Sequence, residues 1–524
     1  MSRYLVVGNP VIALDRDGII PDGAVIVEDK NIVEVGPRAA LETKGNFQRV
    51  IGSPDHFVLP GFINCHYHSE GAIGPGLYQY VFEQANMYFQ AAMGAITDED
   101  LYLGVLQGLI NCIRGGQTAT IDMYYGRPML EDFGTNAVLR AYDDAGMRTA
   151  FGLVSRDQNK YVHEPNEKFL ARLPQDLAQE VAASNMGYAW PLDRVFGAYD
   201  QLVRDWDGKD DRIRVICAPD WTPACSDDLY RRCRRVANEY GTGIATHCLE
   251  TRAEMMFNHQ SYGKPALKRL ADIGLLGPDV SLPHFVWVTD EEIPIFADSG
   301  AVASYDPGSN LRLSSGIARF RDITDAGGLM GIGTDCIGFS DKEDMFQELR
   351  LGMYLQRRPH EFEVGRLDSE RTLRTIGKAG ARGVRFEDKV GRLAPGTYAD
   401  LLVVKRDRIF FPPGRYDRTP VLDVILDRAE AIDIDSVLIN GRVVLDEGRI
   451  TTVDEEKVRA AWAKATERVY EVTPELARGA ELGDAMLPYI NEFYRRWYET
   501  PLQPAHTYNV ASPPDLSATD ADRP

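Results

Sequence analysis

From residue 58 to about 390 one pattern recurs: a short apolar stretch of strand length, followed by a stretch with helical periodicity. The strand-like stretches fall at 58–64, 118–123, 149–154, 213–218, 243–248, 280–287, 301–305 and 329–334. Short continuous apolar runs suit strands buried on both faces, and such strands are usually parallel and joined by helices. Helix starts are readable between them. Ser226 precedes Leu229, Cys233, Val236, Ala237 and Tyr240, which share one helical face, and Thr97 precedes a run through Leu106 and Ile113. Eight β/α units predict an α/β fold, a (β/α)8 TIM-type barrel with its functional residues at the C-terminal ends of the strands. The connection over 155–212 is much longer than a β/α loop needs and is expected to cover that end.

The flanks read differently. Residues 24–28 and 32–35 bracket Asp29-Lys30-Asn31, a hairpin signal. Residues 437–439 and 443–444 bracket Asn440-Gly441, a pair that tolerates positive φ at both central turn positions. The β-rich ends, 1–57 and 391–452, are expected to pair into a small composite β-sandwich domain with the barrel, 58–390, inserted. Residues 453–524 form a C-terminal helical extension carrying Trp462, Tyr470, Tyr489, Phe493, Tyr494 and Trp497. It should dock on the barrel or on another subunit. Its last twenty or so residues are rich in Pro, Ala, Ser and Asp, a flexible tail or an arm crossing a neighbour. A homodimer or higher homo-oligomer is expected.

Composition excludes some classes. The chain is 44% hydrophobic, too apolar for a disordered protein. Its net charge of −20 argues against a non-specific nucleic-acid or anionic-membrane binder, and weakly against an anionic substrate. The seven cysteines are odd in number and contain no Cys-x-x-Cys pair, which fits a reducing compartment. No run of about 18 apolar residues is present. Tyr4 to Val7 is too short for a secretory segment. A cytoplasmic protein without nucleic-acid or membrane partners is expected.

Four of the nine histidines and one aspartate fall at the ends of expected strands. His66 and His68 follow the first barrel strand, and a spacing of two along an extended segment puts both rings on one side. His247 ends the fifth strand, His284 lies in the sixth and Asp335 ends the eighth. Closing a barrel brings these ends together. Three imidazoles and a carboxylate suit a divalent metal such as Zn²⁺, with a water completing the shell. His56, His163, His259, His360 and His506 have no such placement and read as ordinary core or surface histidines.

The order of motifs carries a resemblance. Pro60-Gly61-Phe62-Ile63-Asn64-Cys65-His66-Tyr67-His68 is followed by His247-Cys248-Leu249-Glu250, His284, Ser309-Asn310, Gly333-Thr334-Asp335 and Asp344-Met345-Phe346-Gln347-Glu348-Leu349-Arg350. Gly391 to Leu401 then re-enters the small domain. Over about residues 1–450 the chain resembles the amidohydrolase superfamily, in its mononuclear deaminase and triazine-hydrolase-like branch. The resemblance implies one divalent metal ion, zinc first and iron as the alternative, held by His66, His68, His247 and Asp335. It implies that Glu250 shuttles protons, that His284 polarises the substrate or orients water, and that Asp335 shares the proton. Such a metal lowers the pKa of its water toward neutrality, and a carboxylate three residues beyond a ligand can carry that proton.

Binuclear members carry a bridging lysine or glutamate on the fourth strand. No lysine lies between Lys209 and Lys264, so one metal is expected. Asp220-Trp221 stands where related deaminases carry Pro-His, and Asp220 is read as a contact for a basic substrate nitrogen or, less readily, a second metal. Trp221, Tyr124, Tyr125 and the run Tyr78, Tyr80, Phe82, Tyr88 and Phe89 offer rings to stack a planar substrate. Ser309, Asn310 and Arg148 are polar contacts implied by the resemblance. Arg319 replaces a proline of the family's seventh-strand segment. The expected reaction is hydrolysis at an sp² carbon bonded to nitrogen, first the deamination of an amino-substituted heterocycle. Amide or urea hydrolysis and triazine-type loss of chloride or alkylamine use the same site on a heterocycle or aryl amide. A metal-free scaffold is the remote alternative.

Overall fold

In the computed structural model eight parallel strands lie in one sheet in chain order: β1 (Phe62–Tyr67), β2 (Gln117–Tyr124), β3 (Arg148–Ser155), β4 (Ile213–Pro219), β5 (Gly243–Ala245), β6 (Val280–Leu282), β7 (Val302–Tyr305) and β8 (Leu329–Ile332). The structure describes residues 2–500 except 17, 75–80, 85–95, 128, 185–190, 337–341 and 359–366. The sheet closes where Tyr67 pairs in parallel with Asp335. There the His68 amide donates to the Asp335 carbonyl at 2.9 Å, and the Asp335 amide donates to the His66 carbonyl at 3.0 Å. Alternation along the strands separates two cores. Ile63, Cys65, Ala119, Ile121, Met123, Ala150, Val154, Ile216, Ala218 and Ala245 fill the interior. Tyr124, Phe151, Val215, Ile244, Leu282 and Tyr305 face the helices.

Several expected strands end differently from the sequence reading: β5 stops at Ala245, so His247 follows it, and β1 runs to Tyr67, so His66 lies within it. The stretch 58–64 is divided between two sheets. His56–Pro60 pairs antiparallel with Leu401–Lys405, and β1 begins at Phe62. Gly61 makes the crossing. Its amide donates to the Asp400 carbonyl at 2.9 Å, and a Cβ there would lie 2.2 Å from Thr118 Cγ2. The sixth strand stops at Leu282, because His284 and Phe285 take left-handed φ angles of 68° and 50°. His284 therefore follows the strand.

Both chain ends build the small domain. A seven-stranded sheet joins His56–Pro60 and strands near residues 11–20 to strands from 401 to 450, and a four-stranded sheet comes from residues 3–52. The Asn440-Gly441 turn has φ of 52° and 73°, as the hairpin requires.

Helix α1 (Asp98–Arg114) begins at a capping box between Thr97 and Asp100. In α2 (Asp227–Tyr240) the Ser226 hydroxyl accepts from the Leu229 amide at 3.1 Å. Then come α3 (Arg252–Tyr262), α4 (Pro307–Arg312), α5 (Met345–Leu355), α6 (Glu455–Val469) and α7 (Pro474–Glu499). The extension docks on the barrel of its own chain. Trp462 of α6 packs where a Cβ at Gly104 of α1 would meet its ring at 3.0 Å. The buried stripe Leu482, Met486, Ile490, Phe493 and Trp497 of α7 packs with Phe257 of α3 and with Tyr161, Val162 and Phe169 of the β3–β4 connection. Each such side chain contributes about 1.5–3 kcal/mol of gross burial. Among the described residues no helix is long and apolar enough to cross a membrane.

Candidate metal centre and active site

Four strand ends converge on one buried spot. The Nε2 atoms of His68 and His247 lie 3.2 Å apart. Asp335 Oδ1 is 3.5 Å from His68 Nε2 and 3.7 Å from His66 Nε2. Among the described residues His66 Nδ1 and Nε2 and Asp335 Oδ1 are buried without a hydrogen-bond partner, a costly arrangement unless something else binds there. The other nitrogens of two rings are committed: His68 Nδ1 donates to the Met123 carbonyl at 2.5 Å, and His247 Nδ1 to the Asp220 carbonyl at 2.7 Å. These bonds turn the Nε2 lone pairs inward, the usual support of a metal-binding histidine. Burial holds the His66 imidazole well below its ordinary pKa and brings His68 down to about 3, so both are neutral. The donor set fits a divalent metal such as zinc.

Beside it stand Glu250 and His284, with 3.7 Å between Oε2 and Nε2. Burial, and next the Asp335 charge, push the Glu250 carboxyl well above the ordinary range. The Ser315 hydroxyl donates to its Oε1 at 3.3 Å. Burial pushes Asp335 up to about 6, against the Ser309 hydroxyl donating to Oδ2 at 2.6 Å. His284 Nδ1 lies 3.0 Å from Asn310 Nδ2 and 3.2 Å from Asp306 Oδ2. Leu249, His284 and Asp335 all have left-handed φ, at 56°, 68° and 65°. Non-glycine residues in that region carry strain, and its concentration here marks a functional site.

Several expected contacts lie elsewhere. Asp220 is not free for a substrate nitrogen or a second metal. Tyr125 Oη donates to its Oδ1 at 2.6 Å, Arg156 Nη2 lies 2.5 Å from Oδ2, and His247 Nδ1 is 3.4 Å from Oδ1. Burial pushes its carboxyl up, but Arg156 and His247 outweigh that and hold it below the ordinary range. Tyr124 points outward, stacked on Phe151 at 5.6 Å with its hydroxyl donating to the Phe133 carbonyl. Tyr125, one residue on, faces the His68 ring at 5.2 Å. Arg148 opens β3 at the opposite end of the barrel and binds Asp400. Arg319 is held by Asp290 and Asp322. Trp221 stays at the site, its backbone bridged to His247. Tyr78, Tyr80, Tyr88, Phe89, His360 and His506 lie outside the described residues.

Three residues were missed. Asp306 and Arg156 are reached only through the fold. Glu254 accepts from the Glu250 amide at 2.9 Å, and its signal was present as the Thr251-x-x-Glu254 capping pattern. His163, read as an ordinary core or surface histidine, lies in the core against Trp221, Phe257, Tyr494 and Trp497.

Residues 57–444 match the amidohydrolase family, most of the chain. The chain belongs to the amidohydrolase family. Among its relatives is the 5'-deoxyadenosine deaminase of Methanosarcina barkeri, 28% identical over 90% of this chain and 99% of that protein. Another is the 5-methylthioadenosine/S-adenosylhomocysteine deaminase of Desulforamulus reducens, 28% identical over 91% and 99%. The fold of this amidohydrolase is shared with an adenosine deaminase from Xanthomonas campestris with bound zinc (TM-score 0.77, 23% identity, 90% and 99% covered). It is also shared with the atrazine chlorohydrolase of Arthrobacter aurescens TC1 complexed with zinc (TM-score 0.76, 22%, 88% and 99%).

Proposed function

We propose that this amidohydrolase is a metal-dependent hydrolase of carbon–nitrogen bonds other than peptide bonds, and that it deaminates an amino-substituted heterocycle. The observation that carries the reading is the pairing of Glu250 with His284 beside buried, unpartnered atoms of His66 and Asp335. His66, His68, His247 and Asp335 would hold one divalent ion, zinc before iron, which would supply Lewis-acid activation of water near neutral pH. Glu250 takes the proton of the attacking water and passes it to the leaving nitrogen. The water oxygen bonds to the ring carbon, the carbon–nitrogen bond breaks, and ammonia leaves. Burial raises the pKa of Glu250, which favours holding the proton until it passes to the leaving nitrogen.

His284 faces the reacting carbon's substituents and stabilises charge that develops there, with its ring fixed by Asp306 and Asn310. Ser309 orients Asp335. Trp221 supplies a wall for a planar ring. The named substrates of the relatives support an adenine-type nucleoside as the first compound to try. A cytoplasmic homo-oligomer acting on small molecules completes the reading.

The test is ammonia release by zinc-loaded protein from 5'-deoxyadenosine, 5-methylthioadenosine, aminopurines and aminopyrimidines, with chloride and alkylamine read separately on triazines. Glu250→Gln should retain its metal and lose about 10²–10⁴-fold in kcat. A near wild-type rate in that variant removes Glu250 from the mechanism, and release of chloride or alkylamine without ammonia replaces deamination.

A further inference from the structure

Outside the metal centre a second polar cluster is buried under the C-terminal helix. Glu83 is 5% exposed, and its Oε1 accepts from the Tyr498 hydroxyl at the end of α7 at 2.8 Å. Its Oε2 is buried with no close hydrogen-bond partner among the described residues, while the Tyr498 and Thr251 hydroxyls both act on the carboxyl against the effect of burial. Native proteins rarely leave such groups unsatisfied, because each costs about 1–3 kcal/mol. His163, 3% exposed, packs nearby with the Ala253 backbone acting on its ring. Aromatic rings surround the cluster. Phe82 meets Trp221 edge-on at 5.1 Å, and His163 packs between Trp221 at 4.8 Å and Trp497 at 5.7 Å.

The cluster adjoins the reaction site. Trp221 is bridged by backbone to His247. The Glu83 charge helps raise the Glu250 carboxyl, after burial and the charges of Asp335 and Glu254. Four chain segments contribute: the stretch after β1, the β3–β4 connection, the end of β4, and α7.

We propose that Glu83 and Tyr498 form a binding subsite for a basic, N–H-bearing substituent of the substrate, walled by Phe82, Trp221 and Trp497. The subsite deepens the deaminase reading and rests on it for the identity of the reacting ring. The Glu83 carboxylate keeps acceptor capacity at Oε2 for a further donor. A cationic donor fits best, because Glu83, Glu250, Glu254 and Asp335 crowd one region and the aromatic walls favour a cation over their faces. A hydroxyl would supply one bond and no compensating charge. The C-terminal extension thereby becomes part of substrate recognition.

The test uses benzylammonium and benzyl alcohol as probes, titrated calorimetrically into zinc-loaded protein at pH 7. Benzylammonium should bind at least about tenfold tighter than benzyl alcohol. Glu83→Gln, which keeps an acceptor for Tyr498, should abolish that preference with zinc content and circular dichroism unchanged. Tyr498→Phe should narrow it. Equal affinities in the wild type, including no detectable binding of either probe, overturn the subsite. So does a preference that survives Glu83→Gln, which would place the amine on the metal or elsewhere. Failure of the deaminase reading would show only in the ammonia assay, which this titration does not use.

Discussion

Gly333 leaves no space for a methyl group. A Cβ there would lie 2.2 Å from Asp306 Oδ1, 2.8 Å from Ser304 Oγ and 2.9 Å from the His66 amide. All three positions belong to the centre or its support: Asp306 contacts His284, and the Ser304 hydroxyl donates to Asp306. Gly333→Ala should therefore displace His66 or Asp306 while leaving the barrel folded. The expected result is a loss of bound zinc of about tenfold or more in affinity, the scale on which the supports of metal ligands act. Metal content after dialysis checks it, and full zinc retention would show that the segment yields freely.

At the scale of elements, the short helix α4 carries Ser309 and Asn310 to the centre, and α5 holds it in place through one buried carboxyl. Glu348 is 1% exposed, and its Oε2 accepts from the Gly308 amide at 2.9 Å. Burial pushes its pKa from 4.5 up to about 7. The folded state therefore holds this proton more tightly than the unfolded chain. Its contribution to stability is greatest below pH 4.5, falls as pH rises toward 7, and is level above. Between pH 5 and pH 8 the wild type should lose about 3 kcal/mol more stability than Glu348→Gln. Urea unfolding of both proteins at the two pH values measures the difference, and parallel pH profiles would remove Glu348 as its source.

The whole molecule is joined at the end of the barrel opposite the metal centre. Arg148 donates through Nε to Asp400 Oδ2 at 2.8 Å and through Nη2 to Oδ1 at 3.0 Å. The Asn440 amide donates to the same Oδ1 at 2.7 Å. Both side chains are almost fully buried, so one carboxylate ties β3 to the small domain and its hairpin. Asp400→Asn leaves the Arg148 charge buried with a neutral partner and should destabilise the protein by about 3–5 kcal/mol. The kcat of the folded fraction should stay the same, because Arg148 lies away from the site. A loss of kcat with unchanged unfolding would reverse that assignment.

The barrel, its composite small domain and the convergence of His66, His68, His247, His284, Glu250 and Asp335 were legible in the chain. Apolar periodicity fixes which segments are strands, and parallel strands in a closed sheet must bring their C-terminal ends together. The side on which Tyr124 and Tyr125 fall was not legible, because a shift of one residue reverses the face and no local signal marks the last paired residue of β2. Arg148 matched a substrate contact in type but sits at the wrong end of its strand. Asp220 reads in the sequence as a contact for a substrate nitrogen or a second metal, whereas in the fold it pairs with Arg156 and Tyr125, which reach it only across neighbouring strands. Likewise, the sequence by itself marked the stretch after residue 453 as helical and rich in aromatic residues. Only tertiary packing decided that its last turn lies over the site, because Tyr498 and Glu83 are 415 residues apart and their hydrogen bond exists only once the barrel has closed.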